Sequence, residues 1–305
     1  MRKTLSNALV DLGKSDPNIL LLTGDHGYAL FDDFRRECPK QYINAGIAEQ
    51  NMVGMAAGLA RLGFRPIVYG LSAFIPIRVL EQIKIDIAHD RLPVIFIGDG
   101  AGFVYSHLGT SHQSIEDIAC SRVIPNLSVY SPADRFELTQ CLSSAYQDGS
   151  SIYLRIGKDG LGDVHHFPPK IKIGDLVKVN SASQSKYSFI ATGSMVKTAI
   201  DISNNLPEAI DVWSAPFIKP IDNLMVEKIL RDSEAVVTFE EHSKYGGLGS
   251  LVAEISAESL PRKILKVAAN DRFSQRCGTY QYLLKEHKLD FSTIHKNVHN
   301  FLKGE

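Results

Sequence analysis

The chain has little that would tie it to a membrane, a nucleic acid or an oxidising compartment. No uninterrupted apolar run reaches the ~18 residues a membrane span needs. The formal net charge is −1 and no basic block stands out, which argues against a nucleic-acid partner. Cys38, Cys120, Cys141 and Cys277 lie far apart and form no CxxC pair. Buried or free thiols in a reducing cytoplasm are therefore expected, rather than disulfides or a zinc site. The opening MRKTLSNALVDLGKSD lacks a continuous apolar core followed by small cleavage-site residues. It reads as an amphipathic helix through Leu5, Ala8, Leu9 and Leu12, with no secretory signal. Low-complexity tracts and short-period repeats are also missing.

What is present fits a soluble α/β protein. The 305 residues predict two domains on a prior of ~100–200 residues each. Forty-four per cent hydrophobic and 22 per cent charged residues are ordinary for a globular chain. Apolar runs at 18–25, 66–69, 92–100, 126–132 and 151–157 alternate with helical patterns at 48–62, 78–90 and 133–146. Continuous apolar strands separated by helices predict a parallel sheet covered on both faces, with ligands at the strands' carboxyl ends. Residues 158–186 break the pattern with Gly, Pro-Pro and a Ser-rich tip, and read as a linker and hairpin. The alternation then restarts. The expected fold class is thus α/β with two domains, each a mainly parallel sheet with helices on both faces. The expected boundaries are 1–165, a linker and hairpin at 166–186, and 187–305.

One stretch organises the first half: YINAGIAEQNMVGMAAGLA, residues 42–60. From Ala48 onward it is small or apolar all round, the mark of a buried helix, and Gly54, Ala57 and Gly58 would let neighbouring backbones close in. Glu49 stands alone at the helix start. A carboxylate in apolar surroundings can share a proton with a ligand nitrogen, or it can simply complement the helix dipole. Downstream, GTSHQ places His112 on a glycine-containing loop after a strand, where it could stabilise an oxyanion, relay protons or face solvent. Gly246-Gly247-Leu248-Gly249 before a helix could cradle a phosphate, but it lacks GxGxxG spacing and is read as tight helix packing.

YINAGIAEQNMVGMAAGLARLGFRPIV, DRLPVIFIGDGAG and GTSHQSIEDIACSRVIPNLSVYSPAD together resemble the transketolase and deoxyxylulose-phosphate-synthase superfamily. More narrowly, the chain is similar to the C-terminal section of a split transketolase. The second half, with IATGSMVKTAIDI, APFIKPID and VVTFEEHSKYGGLGS, resembles the family's C-terminal domain, and the first half its pyrimidine-binding domain. The resemblance implies thiamine diphosphate as cofactor, with Glu49 the acid that hydrogen-bonds N1′ of its aminopyrimidine. Phe74, in GLSAF, resembles the aromatic partner of the pyrimidine face; its alternative is core packing. Asp25 resembles an acid near the cofactor, or caps a turn. His112 falls at the substrate-side histidine. Arg155 and Lys158, in YLRIGK, lie where relatives hold a sugar phosphate, though cations at a domain edge would look the same.

Departures from the family pattern matter as much. Leu108 stands where relatives carry an Asp that recognises a substrate hydroxyl, which puts ordinary pentose and hexose phosphates in doubt. Gly98-Asp99-Gly100 with Asn126 imitates the diphosphate and Mg²⁺ motif of thiamine enzymes. Full-length relatives carry that motif in an N-terminal domain this sequence lacks, so it is read here as coincidence, and no metal ligand is assigned. The resemblance therefore implies a separate N-terminal subunit that supplies diphosphate and Mg²⁺ binding, two such pairs forming a dimer of heterodimers. The reaction implied is transfer of a two-carbon ketol unit between a ketose, free or phosphorylated, and an aldose. Two other functions stay open. A 2-oxo acid dehydrogenase β subunit has similar size, but GTSHQ and NAGIAEQ read as transketolase-like; a non-catalytic paralogue need not keep both Glu49 and His112.

Overall fold

The computed structural model describes residues 1–304. The first domain is a seven-stranded sheet. Its own strands are β1 (Ile19–Thr23), β2 (Tyr42–Asn44), β3 (Arg65–Leu71), β4 (Ile95–Asp99), β5 (Leu127–Tyr130) and β6 (Ser151–Ile156). The second domain adds β7 (Val177–Asn180), β8 (Tyr187–Ala191), β9 (Ile210–Ser214), β10 (Phe217–Lys219), β11 (Ala235–Ser243) and β12 (Lys263–Ala269). Sheet order is β10-β5-β6-β4-β3-β1-β2 in the first domain and β12-β11-β8-β9-β7 in the second. Every pairing is parallel except those of β10 with β5 and β7 with β9.

Strands such as ILLLT are buried at every position because helices cover both faces. On one face, Met52, Val53 and Ala56 of the helix Glu49–Arg61 share a core with Leu20, Leu22, Val68 and Phe96. On the other, Leu5 and Leu9 of the first helix and Leu138 and Leu142 of Arg135–Asp148 meet Leu21, Ile67, Ile97 and Leu154. The expected all-round burial of Glu49–Arg61 is corrected. Ala57 is buried, but Gly54 and Gly58 lie on an open face where an added Cβ would meet nothing within 4 Å. Within one chain, the helix has a sheet on one side only.

The second sheet corrects another expectation. Val177–Asn180 does not form a hairpin with the next strand, β8. It pairs antiparallel with β9 as the sheet's edge strand, so the turn after it carries the chain past β9 before β8 begins. The two domains also interlock: β10, a second-half segment, extends the first sheet at β5.

Asp134 secures both the last long helix of the first domain and the segment that leaves it. Its carboxylate caps Arg135–Asp148 by accepting from the Phe136 and Glu137 amides, both at 2.9 Å. The other oxygen accepts from the amides of Val164 at 3.0 Å and His165 at 2.9 Å. Asp134→Ala is expected to cost roughly 2 kcal/mol in urea unfolding, from a lost cap and charge-assisted bonds. A loss indistinguishable from zero would mean water takes over these amides.

Candidate active site

Strands β4, β3, β1 and β2 are neighbours and run the same way, so the loops at their carboxyl ends share one rim. Asp25 and His26 follow β1, Glu49 comes soon after β2, Phe74 and Arg78 follow β3, and His112 lies on the loop after β4. Parallel sheets bind ligands at this edge.

Side chains meet there in a chain of contacts. Glu49, the first residue of its helix, is 7% exposed. Arg78 reaches in from the surface, 47% exposed, and its Nη1 donates to Glu49 Oε1 at 3.1 Å. The Arg78 guanidinium carbon lies 3.9 Å from the centre of the Phe74 ring. His112 meets that ring edge-on with centres 5.3 Å apart, and His26 lies at 5.5 Å. Asp25 Oδ1 is 3.2 Å from His26 Nε2. The structure thus gathers Glu49, Phe74, His112 and Asp25, and adds His26 and Arg78, which the sequence alone did not single out. Two signals could have found them. His26 directly follows Asp25, and Arg78 stands four residues after Phe74, the spacing of neighbours on one helical turn.

Partial burial pushes the His112 imidazole below its ordinary range, helped by the nearby His26 ring, the Arg78 charge and the His107 ring. At neutral pH it is a neutral ring with one donor and one acceptor nitrogen, its Nδ1 3.0 Å from Ser111 Oγ. Leu108, half-exposed, ends the short turn just before His112.

Arg155 is a correction. It sits on β6, 1% exposed, with Nε donating to Asp117 Oδ2 at 2.7 Å and Nη2 to the Glu241 carbonyl at 2.7 Å. A guanidinium buried in the domain junction and paired there with Asp117 is not free to hold a sugar phosphate. Lys158 stays accessible, but it lines a cavity of about 210 Å³ with Met1, Arg135 and Asp159, whose walls include none of the Phe74 cluster.

Two lookalikes resolve. The backbone amides of Leu248 and Gly249 both donate at 2.8 Å to the carboxylate of the buried Glu240. A phosphate would meet a negative charge already in its place, and a Cβ at Gly247 would collide with Glu240 Oε2 at 1.9 Å. The glycines serve packing. Asp99 closes β4 and accepts from Tyr69 at 2.7 Å, Arg2 at 2.6 Å and Tyr105 at 3.2 Å. Asn126 immediately precedes β5, at the opposite end of the sheet. β6 pairs with both strands and separates the two ends by about 16 Å, so Asp99 and Asn126 cannot share one ion.

A doubly wound pair of domains, with a carboxylate, an aromatic ring and an imidazole on one rim of the first, defines an α/β protein with a site at its sheet edge. Residues 1–162 match the pyrimidine-binding domain of transketolase, and residues 177–294 the transketolase C-terminal domain. The chain belongs to the transketolase family and is a transketolase-type subunit. It is 33% identical, over all of this chain and 97% of the relative, to a Methanocaldococcus jannaschii protein with the provisional name transketolase C-terminal section. It is 30% identical to one of the subunits of the apulose-4-phosphate transketolase of Phocaeicola vulgatus, covering 99% of this chain and 97% of that one. A solved structure described as a split-gene transketolase in an inactive β4 tetramer superposes with a TM-score of 0.89 at 33% identity, over 97% of this chain and 96% of that one.

Proposed function

We propose that this chain is the pyrimidine-side subunit of a thiamine-diphosphate-dependent transketolase, completed by an N-terminal subunit that holds the diphosphate and Mg²⁺. One observation carries the reading. A flat, cationic N–H donor, the Arg78 guanidinium, lies on Phe74 while donating to Glu49. That is the pair of contacts a protonated aminopyrimidine needs, so the residues present fit the group. Glu49 would hold a proton at the aminopyrimidine N1′, and Phe74 would offer the ring a flat face. His112, neutral and beside Phe74, would hydrogen-bond the substrate's oxygens, with His26 and Asp25 behind it. When bound, thiamine diphosphate supplies the carbon that attacks a ketose carbonyl and the electron sink for carbon–carbon cleavage.

The substrates proposed are a ketose donor and an aldose acceptor exchanging a two-carbon ketol unit. Leu108 offers no hydrogen bond to a sugar hydroxyl, which favours a substrate other than the common pentose and hexose phosphates. Lys158 remains the proposed phosphate-side cation. The open face of Glu49–Arg61 beside Glu49 suits a site completed across a subunit interface, in a dimer of heterodimers.

Calorimetry with thiamine diphosphate and Mg²⁺ tests the subunit model, first on this chain and then with the product of the adjacent gene added. Binding is expected only with the partner, and Asp99→Asn is expected to leave cofactor affinity unchanged. Tight binding by this chain alone would overturn the model. Turnover of a 2-oxo acid with an artificial electron acceptor, in place of ketose with aldehyde, would move the assignment to a 2-oxo acid dehydrogenase β subunit.

A further inference from the structure

The second domain reaches the loop that carries His112 through three side chains in series. The loop leaves β4, is pinched where Gly102 and Ser114 exchange backbone bonds of 2.7 and 2.9 Å, and consists inside of two short turns, Ser106–Leu108 and Thr110–His112. Such 3₁₀ turns have poor hydrogen-bond geometry and hold few bonds of their own. Gln113, next to His112 and 6% exposed, anchors the end of the loop. Its Oε1 accepts from Ser274 Oγ at 2.7 Å, and Ser274 Oγ lies 3.0 Å from Nε2 of the fully buried His287.

Ser274 stands between two polar partners. A serine hydroxyl has one proton, and here it goes to Gln113, so Ser274 Oγ must accept from His287. His287 Nε2 is the donor in that arrangement. The ring is buried and packs against Phe103 with centres 4.6 Å apart. Burial, with help from the Arg272 charge, pushes this imidazole below its ordinary range, against the opposing pull of Glu286 and the Asn270 backbone. Ser274 thus ties the buried ring of the second domain to the Gln113 amide. Cys277, from the same segment as Ser274, touches the loop as well: a Cβ on Gly109 would come within 3.1 Å of its Sγ.

We propose that Ser274 is a positioning residue: held by His287, it acts through Gln113 to fix the loop that presents His112, so that the C-terminal domain sets the substrate-side geometry. The activity arm of this inference rests on the role given to His112 above; the loop-ordering arm does not.

The test uses Ser274→Ala, which removes the hydroxyl, and Ser274→Thr, which keeps it. In the full chain with its partner, hydrogen exchange of the amides in residues 106–114 is expected to quicken about tenfold in the alanine variant, the worth of one hydrogen bond, and to return toward wild type with threonine. In the same complex, KM for the ketose is expected to rise about tenfold in Ser274→Ala with kcat within about twofold, again restored by threonine. Unchanged exchange, or equal effects from alanine and threonine, would overturn the proposal. Faster exchange with an unchanged KM in an active complex would overturn it too. Faster exchange, rescued by threonine, in a complex with no ketose turnover would support the relay and sink the assigned function instead.

Discussion

Glu49→Gln is expected to lower turnover of the reconstituted enzyme about a thousandfold, the range for losing a positioned proton-holding group. Glutamine keeps the shape and one acceptor oxygen of glutamate but cannot carry the shared proton. The fold should hardly register the change. Arg78, the carboxylate's partner, is 47% exposed, and a pair with one end in water is worth under about 1 kcal/mol. Ketose-to-aldehyde transfer and urea unfolding, measured on the same preparations, separate the two effects. Turnover within about tenfold of wild type would remove Glu49 from the chemistry. A melting midpoint that falls with turnover would instead make Glu49 a helix-start residue, the dipole role that its position in the first turn equally permits.

Much of this site was legible because it sits on strand ends. A buried parallel strand announces itself by an unbroken apolar run, and residues just past such runs land on the ligand-binding edge whatever the details of packing. Asp25 and Phe74 obey that rule. Glu49 follows a strand too short and exposed to read as one, and His112 lies thirteen residues past β4, so those two stood out by their motifs. Arg155 resisted because its meaning is tertiary. Read locally, YLRIGK offers two cations at a strand end; only the arrival of Asp117, from a helix 38 residues upstream, turns the first into a buried ion pair. Strand β10 resisted for a related reason. Three residues between Pro216 and Pro220 look like a loop, and their pairing with β5 comes from domain docking. The open face of Glu49–Arg61 shows a third way to misread. Gly54 and Gly58 read as sites of close packing, but within one chain they face no neighbour.

Asp117→Asn is expected to cost about 3–5 kcal/mol, more than the loss of the Asp134 cap, because it strands a guanidinium in the core. Both partners are buried, Arg155 at 1% and Asp117 at 0% exposure. Burial works against the Arg155 charge, and Asp117, with smaller help from Tyr153 and Glu241, more than offsets it. The Tyr153 hydroxyl also donates to Asp117 at 2.7 Å, so the lost carboxylate weakens two donors at once. Thermal unfolding should move down by roughly 10 °C, and added salt should change little, since screening does not reach a pair with no solvent contact. The double variant Asp117→Leu with Arg155→Met should recover only part of the loss. Replacing a buried pair with apolar groups is often neutral, but here Tyr153 would keep an unpaired hydroxyl and Glu241 an unpaired carbonyl. In that double variant the KM for a phosphorylated ketose should stay at its wild-type value with Lys158 intact. A loss below about 1 kcal/mol in Asp117→Asn would mean water enters the junction, and a raised KM in the double variant would return Arg155 to the substrate after all.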